Sequence, residues 1–172
     1  IGGTHLVVDA YNDNAITELR SRLNRPNQAF AVMSSDLNAI KRYAKLSARE
    51  IETITSNKRP IVILKKNDNY NFPESLSPGL HNIGVMLPYS PMHYLLFDEG
   101  EIDTYVMTSA NIPGEPMMID NEEIINGISD YSLIHNRKIL NRCDDSVIRF
   151  RNDELSFIRR SRGYTPEPYT IN

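Results

Sequence analysis

The sequence predicts an α/β domain, built as a twisted, open, mixed sheet with flanking helices. Strand and helix patterns alternate through the first two thirds of the chain, and further strands cluster in the last third. The chain has 172 residues, of which 40% are hydrophobic and 24% charged. That length is typical of one domain, and that composition excludes a disordered chain, a collagen-like fibre or a coiled-coil rod.

The first three elements are a strand, a helix and a strand. Residues 5–8 have the pattern of a strand already under way, and no initiator methionine precedes them. We therefore expect residues 1–172 to be a fragment, or a chain whose first strand lies upstream. Apolar residues at helical spacing predict a helix over 14–22, with Asn12 or Asp13 as its N-cap. Pro26 ends that region, and the apolar residues 29–33 predict a short strand.

Two helices and a buried strand are predicted next. Ser35 is the expected N-cap of a helix that carries Leu37, Ile40 and Tyr43. Ser47 and Glu50 form a capping box that opens a helix over 48–55. The continuous apolar run 61–64 is typical of a strand buried on both faces.

A long loop then leads to the centre of the chain. Residues 67–82 are polar and turn-rich, and 84–87 are apolar. Ser90-Pro91 predicts the start of a helix over 92–97, because proline is favoured at the first helical position. A strand is predicted over 105–108.

The last third is predicted to be rich in strands. Asp120 is the expected cap of a short helix that ends at Gly127. The predicted strands cover 131–134, 146–150 and 155–159, and the tail 163–172 is expected to be an extended arm.

The charge and cysteine content limit the possible functions. The net charge of −3 disfavours non-specific nucleic-acid binding, which needs a surplus of cations. Locally, residues 137–162 carry eight cations, seven of them arginines, which are either a solvated basic face or a phosphate-binding surface. The single cysteine excludes an internal disulfide and fits a reducing compartment. No apolar run is long enough to span a membrane, so we expect a cytoplasmic protein without membrane contact.

Common catalytic motifs are absent, and the local candidates have two interpretations each. The sequence contains no Walker-type phosphate loop, no dinucleotide fingerprint and no metal-ligand spacing among its histidines. Either residues 108–111 (TSAN), which follow a strand, form an anion site, or residues 111–114 (NIPG) form a simple turn, and local physics favours the turn. Arg22 and Arg25 either complement a helix dipole or clamp a phosphate. Asp144-Asp145-Ser146 is either a magnesium site or a polar turn.

Several segments, taken in order, resemble one family. These segments are GGTHL…DA (2–10), GVMLPYSPMHYLL (84–96), VMTSANIPGEP (106–116), HNRKI (135–139), DDSV (144–147) and RRSRGY (159–164). Their order and spacing resemble the YrdC-like domain of HypF carbamoyltransferases, within the wider family of threonylcarbamoyl-AMP synthases. The resemblance implies a concave, basic cavity. It also implies that carbamate, or a related small acid, attacks the α-phosphate of ATP with Mg²⁺ present, giving carbamoyl-AMP and pyrophosphate for hydrogenase maturation.

The resemblance also assigns roles to individual residues. Arg25, Ser109 and Asn111 match catalytic motifs, and Thr4 and His5 fall where the small acid is expected. The implied nucleotide and phosphate contacts are Tyr89, His93, Thr108, Arg137, Asp145, Ser146, Arg159 and Arg162. The implied partners are the flanking domains of HypF and the acceptor protein HypE. No protein-held metal is expected.

Two departures from the family pattern keep a second hypothesis open. Leu23 stands where the family has lysine, and Gln28-Ala29 stands where it has Lys-Pro. If those lysines contact phosphate, the chain is a weakened nucleotide- or RNA-binding module, with RNA the less favoured ligand. Restoring both lysines should then raise adenylation.

Overall fold

The computed structural model describes residues 2–98, 100–112 and 114–168. None of the helices within these ranges has the length and apolar character needed to cross a membrane. The strands are β1 (His5–Asp9), β2 (Ala31–Ser34), β3 (Ile61–Lys65), β4 (Asn82–Met86), β5 (Thr104–Ser109), β6 (Val147–Arg151) and β7 (Glu154–Arg159). The helices are α1 (Asp13–Arg22), α2 (Leu37–Tyr43), α3 (Ala48–Thr55), α4 (Pro91–Asp98) and α5 (Asn121–Ile125), with a 3₁₀ turn at Glu74–Leu76.

These strands form one mixed sheet of seven strands in the order β1-β5-β2-β4-β3-β6-β7. The pairs β2–β4 and β3–β6 are parallel, and the other neighbours are antiparallel. The predicted open, mixed sheet with flanking helices is therefore confirmed.

One face of the sheet carries the main hydrophobic core. Val32 and Val62 are each directly opposite Val85 in the strand register, so the three side chains share this face. They pack against apolar residues of α1, α2 and α3, including Ile16 and Ile40, which are fully buried. The strand predicted from the run 61–64 is buried on both faces as expected, since Ile61, Val62 and Leu64 are all buried.

The opposite face carries a smaller core and is more open. Met33, Met86 and Met107 lie here, packed against Tyr89 and against apolar residues of α4. Val7 is directly opposite Met107 in the register of β1 and β5, so the two side chains lie on the same face. His5 is two residues before Val7 in β1, and it therefore shares this face. His5, on this face, belongs to the candidate site described below.

The two edges of the sheet meet at one end. β1 lies at one edge and β6 and β7 lie at the other, yet Nε2 of His5 lies 3.0 Å from Oδ2 of Asp145, just before β6. Such a contact requires a sheet that is strongly curled, and the curl makes the open face concave.

Three sequence-based expectations differ from the structure. Asp36, not Ser35, caps α2, because its carboxylate accepts from the amide of Ala39 at 2.8 Å. The predicted strand over 131–134 is wrong: those residues are irregular and exposed, with no neighbouring strand to pair with in the described chain. The predicted loop 67–82 contains the 3₁₀ turn and the first residue of β4.

Candidate functional site

Two groups of polar side chains lie at the concave end of the sheet. The arginine cluster consists of Arg25, Thr108, Ser109, Asn111 and Arg159. The aspartate cluster consists of His5, Tyr89, His93, Asp145 and Arg162. All ten residues are among those that the sequence assigns to the site.

The end of α1 determines where Arg25 lies. Asn24 follows the helix in the left-handed conformation (φ 49°), and its amide donates to the carbonyl of Ser21. The amide of Arg25 donates to the carbonyl of Arg20 at 3.0 Å. This pair of bonds is a Schellman motif, which ends the helix and turns the chain sharply. Asparagine is suited to this position because it tolerates the left-handed region better than most residues.

In the arginine cluster, the end of β5 meets the guanidinium of Arg25. Arg25 donates to Oγ1 of Thr108 at 3.1 Å and to Oδ1 of Asn111 at 3.3 Å. The hydroxyl of Ser109 donates to the same Oδ1 at 2.6 Å. The side-chain amide of Asn111 donates to the carbonyls of Ile112 and Glu115, which closes the turn after β5. Thr108 and Ser109 therefore end β5, and Asn111 belongs both to the turn and to the polar cluster.

The charge of the arginine cluster is poorly balanced. Among the described residues, the hydrogen bonds of the Arg25 side chain go only to neutral oxygens. Burial, together with the positive charge of Arg159, lowers the pKa of Arg25. Arg159 itself is half exposed, and its ion-pair distance to Asp144 is 3.8 Å. Two guanidinium groups whose positive charges act on each other in this way favour the binding of an anion.

In the aspartate cluster, the two oxygens of Asp145 are bound by two cationic or polar partners. Oδ2 contacts Nε2 of His5 at 3.0 Å, and Oδ1 accepts from Nε of Arg162 at 2.6 Å. The other two guanidinium nitrogens of Arg162 donate to the carbonyls of Lys58 and Arg59. Its guanidinium also lies 3.6 Å from the centre of the Tyr89 ring. Arg162 is therefore held on every side.

The pKa of Asp145 reflects this pairing. Burial alone would raise the pKa, because it penalises the carboxylate. The hydrogen bond and charge of His5, and the charge of Arg162, outweigh burial and lower the pKa of Asp145 to about 2. Asp145 is thus ionised throughout the physiological range.

His93 and Tyr89 line the aspartate cluster from the segment after β4. Their rings contact edge to face at 4.4 Å, and the His93 ring lies 5.9 Å from that of His5. Burial, and the charges of His5 and Arg162, lower the pKa of His93 to about 4, so its imidazole is neutral at pH 7. Its Nδ1 is buried and has no hydrogen-bond partner within the described ranges. Burial, with the charge of Asp145, raises the pKa of Tyr89.

The two clusters are adjacent at the edge of the sheet. His5 in β1 is directly opposite Ser109 in β5, so their side chains lie on the same face. Beside them, the hydroxyl of Thr4 donates to the carbonyl of Met118 at 2.7 Å, and the backbone carbonyl of Thr4 accepts from the amide of Ala110 at 3.0 Å. The structure therefore brings together the regions that the sequence assigns to the small acid and to the nucleotide.

Other candidates lie outside this arrangement or are fully engaged. The hydroxyl of Ser146 is buried, donating to the carbonyl of Arg162 and accepting from the amide of Ser161. Arg137 lies on the exposed segment between α5 and β6, where its backbone amide donates to the ring nitrogen Nδ1 of His135 at 3.2 Å. Arg22 forms surface ion pairs with Glu18 and Asp130. Arg22 lies in the last turn of α1, where the helix-dipole interpretation expects a cation, and Arg25 lies in the arginine cluster.

The Asp144-Asp145-Ser146 segment does not fit a magnesium site. Both oxygens of Asp145 are engaged, and the hydroxyl of Ser146 is used internally. Within the described ranges there is also no group of three His, Cys, Asp or Glu side chains that would hold a metal ion. Asp145 forms an isolated parallel β-bridge with Arg162, so this segment is extended and the polar-turn interpretation is wrong as well.

The structure also locates the two departures from the family pattern. Leu23 is fully buried in the main core, packed with residues such as Leu19 and Phe30. Gln28 is exposed, and its carbonyl accepts from Arg20. Leucine at position 23 is therefore a core residue rather than a missing contact of the arginine cluster.

Sequence reasoning missed two features that shape the site. Arg20 lies on the buried face of α1, one helical turn after Ile16, and a cation at that spacing was the available signal. Gly2 and Gly3 allow two loops to approach β1 closely, since a Cβ on Gly2 would lie 2.3 Å from Cβ of Cys143 and one on Gly3 would lie 2.0 Å from Cε of Met117.

An open cleft of about 430 Å³ adjoins the aspartate cluster. Its lining includes Lys41, Arg59, Pro88 and Tyr94. Arg59 connects it to the cluster through the carbonyl that binds Arg162, and Pro88 directly precedes Tyr89. The cleft carries charges of both signs, because Asp36 lines it together with Lys41 and Arg59.

Comparisons with known proteins agree with this arrangement. The Sua5/YciO/YrdC family model, described as "Telomere recombination", matches residues 1–161. A probable carbamoyltransferase HypF of Methanocaldococcus jannaschii is 52% identical over 177 residues, covering 100% of this chain and 23% of that protein. A crystal structure of full-length HypF in a phosphate- and nucleotide-bound form superposes with a TM-score of 0.93 at 44% identity, over 98% of this chain and 27% of that one. HypF of T. kodakarensis superposes with a TM-score of 0.92 at 51% identity, over 96% and 22% of the two chains. The chain therefore spans about a quarter of the length of these relatives.

Proposed function

Because the chain belongs to the Sua5/YciO/YrdC family, we propose that it catalyses ATP-dependent adenylation of carbamate in the manner of a HypF-type carbamoyltransferase domain. A carboxylate oxygen of carbamate forms a bond to the α-phosphorus of ATP. The bond from that phosphorus to the oxygen bridging to the β-phosphate breaks, and pyrophosphate leaves with the electron pair. The products are carbamoyl-AMP and pyrophosphate.

The arginine cluster carries this proposal. Arg25 and Arg159 supply two positive charges with one distant carboxylate to balance them. Phosphoryl-transfer reactions depend mainly on positioning and on offsetting the negative charge of phosphate oxygens. Arg25 is assigned to the reacting phosphate and the small acid, and Arg159 to the rest of the triphosphate.

The residues beside Arg25 keep it in place. Thr108 and Asn111 accept from its guanidinium, and Ser109 bonds to the same oxygen of Asn111. When phosphate binds, the hydroxyl of Ser109 and the amide of Asn111 are close enough to exchange their internal partners for phosphate oxygens. This exchange costs little, because one hydrogen bond replaces another.

The aspartate cluster forms the second wall of the proposed site. His5 is held by Asp145 and lies opposite Ser109, so the small acid is assigned to the space between the clusters. The ring of His93, packed against those of His5 and Tyr89, completes this wall. Magnesium enters with ATP and is not assigned to any residue of the chain.

The proposed product also fits a larger assembly. Carbamoyl-AMP is a reactive mixed anhydride that a second active site must consume. In this proposal it passes to the later part of a HypF-type protein, whose acceptor is HypE, in a cytoplasmic pathway of hydrogenase maturation. The alternative of a weakened nucleotide- or RNA-binding module depended on Leu23 and Gln28, and the burial of Leu23 removes the main reason for it.

Pyrophosphate release tests the proposal. The chain should release pyrophosphate from ATP and magnesium only when ammonium carbamate is present, and it should catalyse exchange of labelled pyrophosphate into ATP. Arg25→Ala should lower the rate at least about 100-fold, as expected when a group that offsets transition-state charge is removed. Arg149→Ala, an exposed arginine of β6, is the control and should stay within about twofold. A wild-type chain that binds ATP but releases no carbamate-dependent pyrophosphate would contradict the proposal.

A further inference from the structure

Arg20 is a cation placed inside the protein. It lies in α1 on the same face as Ile16, only 8% of its surface is exposed, and its guanidinium lies 4.6 Å from the centre of the Phe30 ring. Its described hydrogen bonds reach no acidic side chain, and burial lowers its pKa. Buried charges are costly unless they are fully hydrogen-bonded, so the partners of Arg20 indicate what it does.

Those partners are all backbone carbonyls of two neighbouring segments. One segment is the loop between α1 and β2, and the other is the 3₁₀ turn before β4. The acceptors are the carbonyls of Arg25 (2.8 Å), Gln28 (2.9 Å), Pro26 (3.3 Å), Ser75 (2.6 Å) and Leu76 (3.4 Å). A single guanidinium therefore fixes the loop that carries Arg25 to the body of the protein.

Arg20 binds the backbone of Arg25 on both sides. Its carbonyl accepts from the amide of Arg25 at 3.0 Å in the Schellman motif. Its Nη1 donates to the carbonyl of Arg25 at 2.8 Å. With both of these groups fixed, the direction in which the Arg25 side chain leaves the backbone is fixed as well.

We infer that Arg20 is the positioning residue for Arg25: by holding both backbone polar groups of Arg25 it aims that guanidinium at the phosphates. The inference rests on the proposed function, which assigns Arg25 to the reacting phosphate. Arg20 itself contacts no substrate, since its nitrogens are taken by the protein. A displacement of about 1 Å of a catalytic group can lower a rate about 100-fold, so a residue that acts only through Arg25 can have a large effect on turnover.

A double-mutant cycle separates positioning from general stabilisation. Arg20→Lys and Arg20→Gln remove the guanidinium group and leave a single side-chain nitrogen as donor. Each should lower kcat for pyrophosphate release about 30- to 100-fold, with a change in KM for ATP of less than about threefold. In an Arg25→Lys background, the same substitutions should lower kcat by less than about threefold, because the group being aimed has already changed. Equal losses in both backgrounds would overturn the inference.

Arg22→Lys is the matched control. Arg22 lies in the same helix but forms surface ion pairs with Glu18 and Asp130. Its substitution should leave kcat within about twofold in both backgrounds. A loss like that of Arg20→Lys would show that any disturbance of α1 lowers the rate, and would overturn a specific role for Arg20.

Amide hydrogen exchange tests the same contact without substrate. In the wild-type chain the amide of Arg25 should be protected although it lies outside the helix, and Arg20→Lys or Arg20→Gln should raise its exchange at least about 10-fold. The amide of Val106 in β5 should not change. Rapid exchange of Arg25 in the wild type, or unchanged exchange in the variants, would overturn the inference. A wild type without pyrophosphate release would contradict the proposed adenylation, and the exchange result would still decide whether Arg20 holds Arg25.

Discussion

The aspartate and arginine clusters lie side by side at one end of the sheet, but their charges are matched differently. In the aspartate cluster, both oxygens of Asp145 are bound and every nitrogen of Arg162 donates to the protein. In the arginine cluster, Arg25 bonds to neutral oxygens while the charge of Arg159 acts on it. Charges that are fully paired within the protein are expected of a cluster that stabilises the fold. Unbalanced positive charge is expected of a cluster that binds an anion.

The largest effect on stability should come from the aspartate cluster. Asp145→Ala leaves Arg162 and His5 without their shared carboxylate in a mostly buried place, which should cost about 3 to 5 kcal/mol of unfolding free energy. Denaturant unfolding measures the loss. The neighbouring Asp144→Ala is the control, because Asp144 is half exposed and lies 3.8 Å from Arg159, and it should cost less than about 1 kcal/mol. Equal costs at both positions would erase the distinction between the clusters.

Leu23 stands where the family pattern has lysine, and a substitution at this position tests whether the arginine cluster lacks a cation. Leu23→Lys should lower stability by about 3 to 4 kcal/mol, because it places an ammonium group in the main core and removes a packed leucine. Pyrophosphate release should not rise. Leu23→Met, which keeps the volume, should cost less than about 1.5 kcal/mol. A stable lysine variant with faster turnover would revive the hypothesis of a weakened module.

Acid should weaken the aspartate cluster through His93. Its pKa is lowered from 6.5 to about 4 in the folded chain, so the unfolded chain binds more protons between those values. The stabilisation is present in full above about pH 6.5 and is lost as the pH falls towards 4, to a total of about 2 to 3 kcal/mol. Unfolding measured from pH 8 to 4 should show this slope in the wild type and a shallower one in His93→Gln. His81→Gln, at an exposed position, should keep the wild-type slope.

The same comparison shows what the sequence could predict. The capping box at Ser47 and the buried strand at 61–64 are local patterns, and both are confirmed. The strand predicted over 131–134 failed because apolar residues alone do not form a strand without a neighbour to pair with. The contact between His5 and Asp145 spans 140 positions and depends on the curl of the whole sheet, which no local pattern encodes. The arginine cluster was predicted only by resemblance, since local physics favoured a simple turn at 111–114 over an anion site at 108–111.

The smallest expected effect on stability is at Arg159, where the prediction is a change in activity. Arg159→Ala removes a half-exposed cation, so its weak ion pair with Asp144 and its repulsion of Arg25 are both lost. These changes oppose each other, and the unfolding free energy should change by less than about 0.5 kcal/mol. Pyrophosphate release should nevertheless fall about 10-fold, because one of the two cations assigned to the triphosphate is gone. Arg149→Ala on the neighbouring strand should change neither quantity. The contrary result would be that Arg159→Ala destabilises the chain as much as Asp145→Ala does and leaves turnover unchanged. The arginine cluster would then be a structural element like the aspartate cluster, and the distinction between a structural cluster and an anion-binding cluster would be wrong.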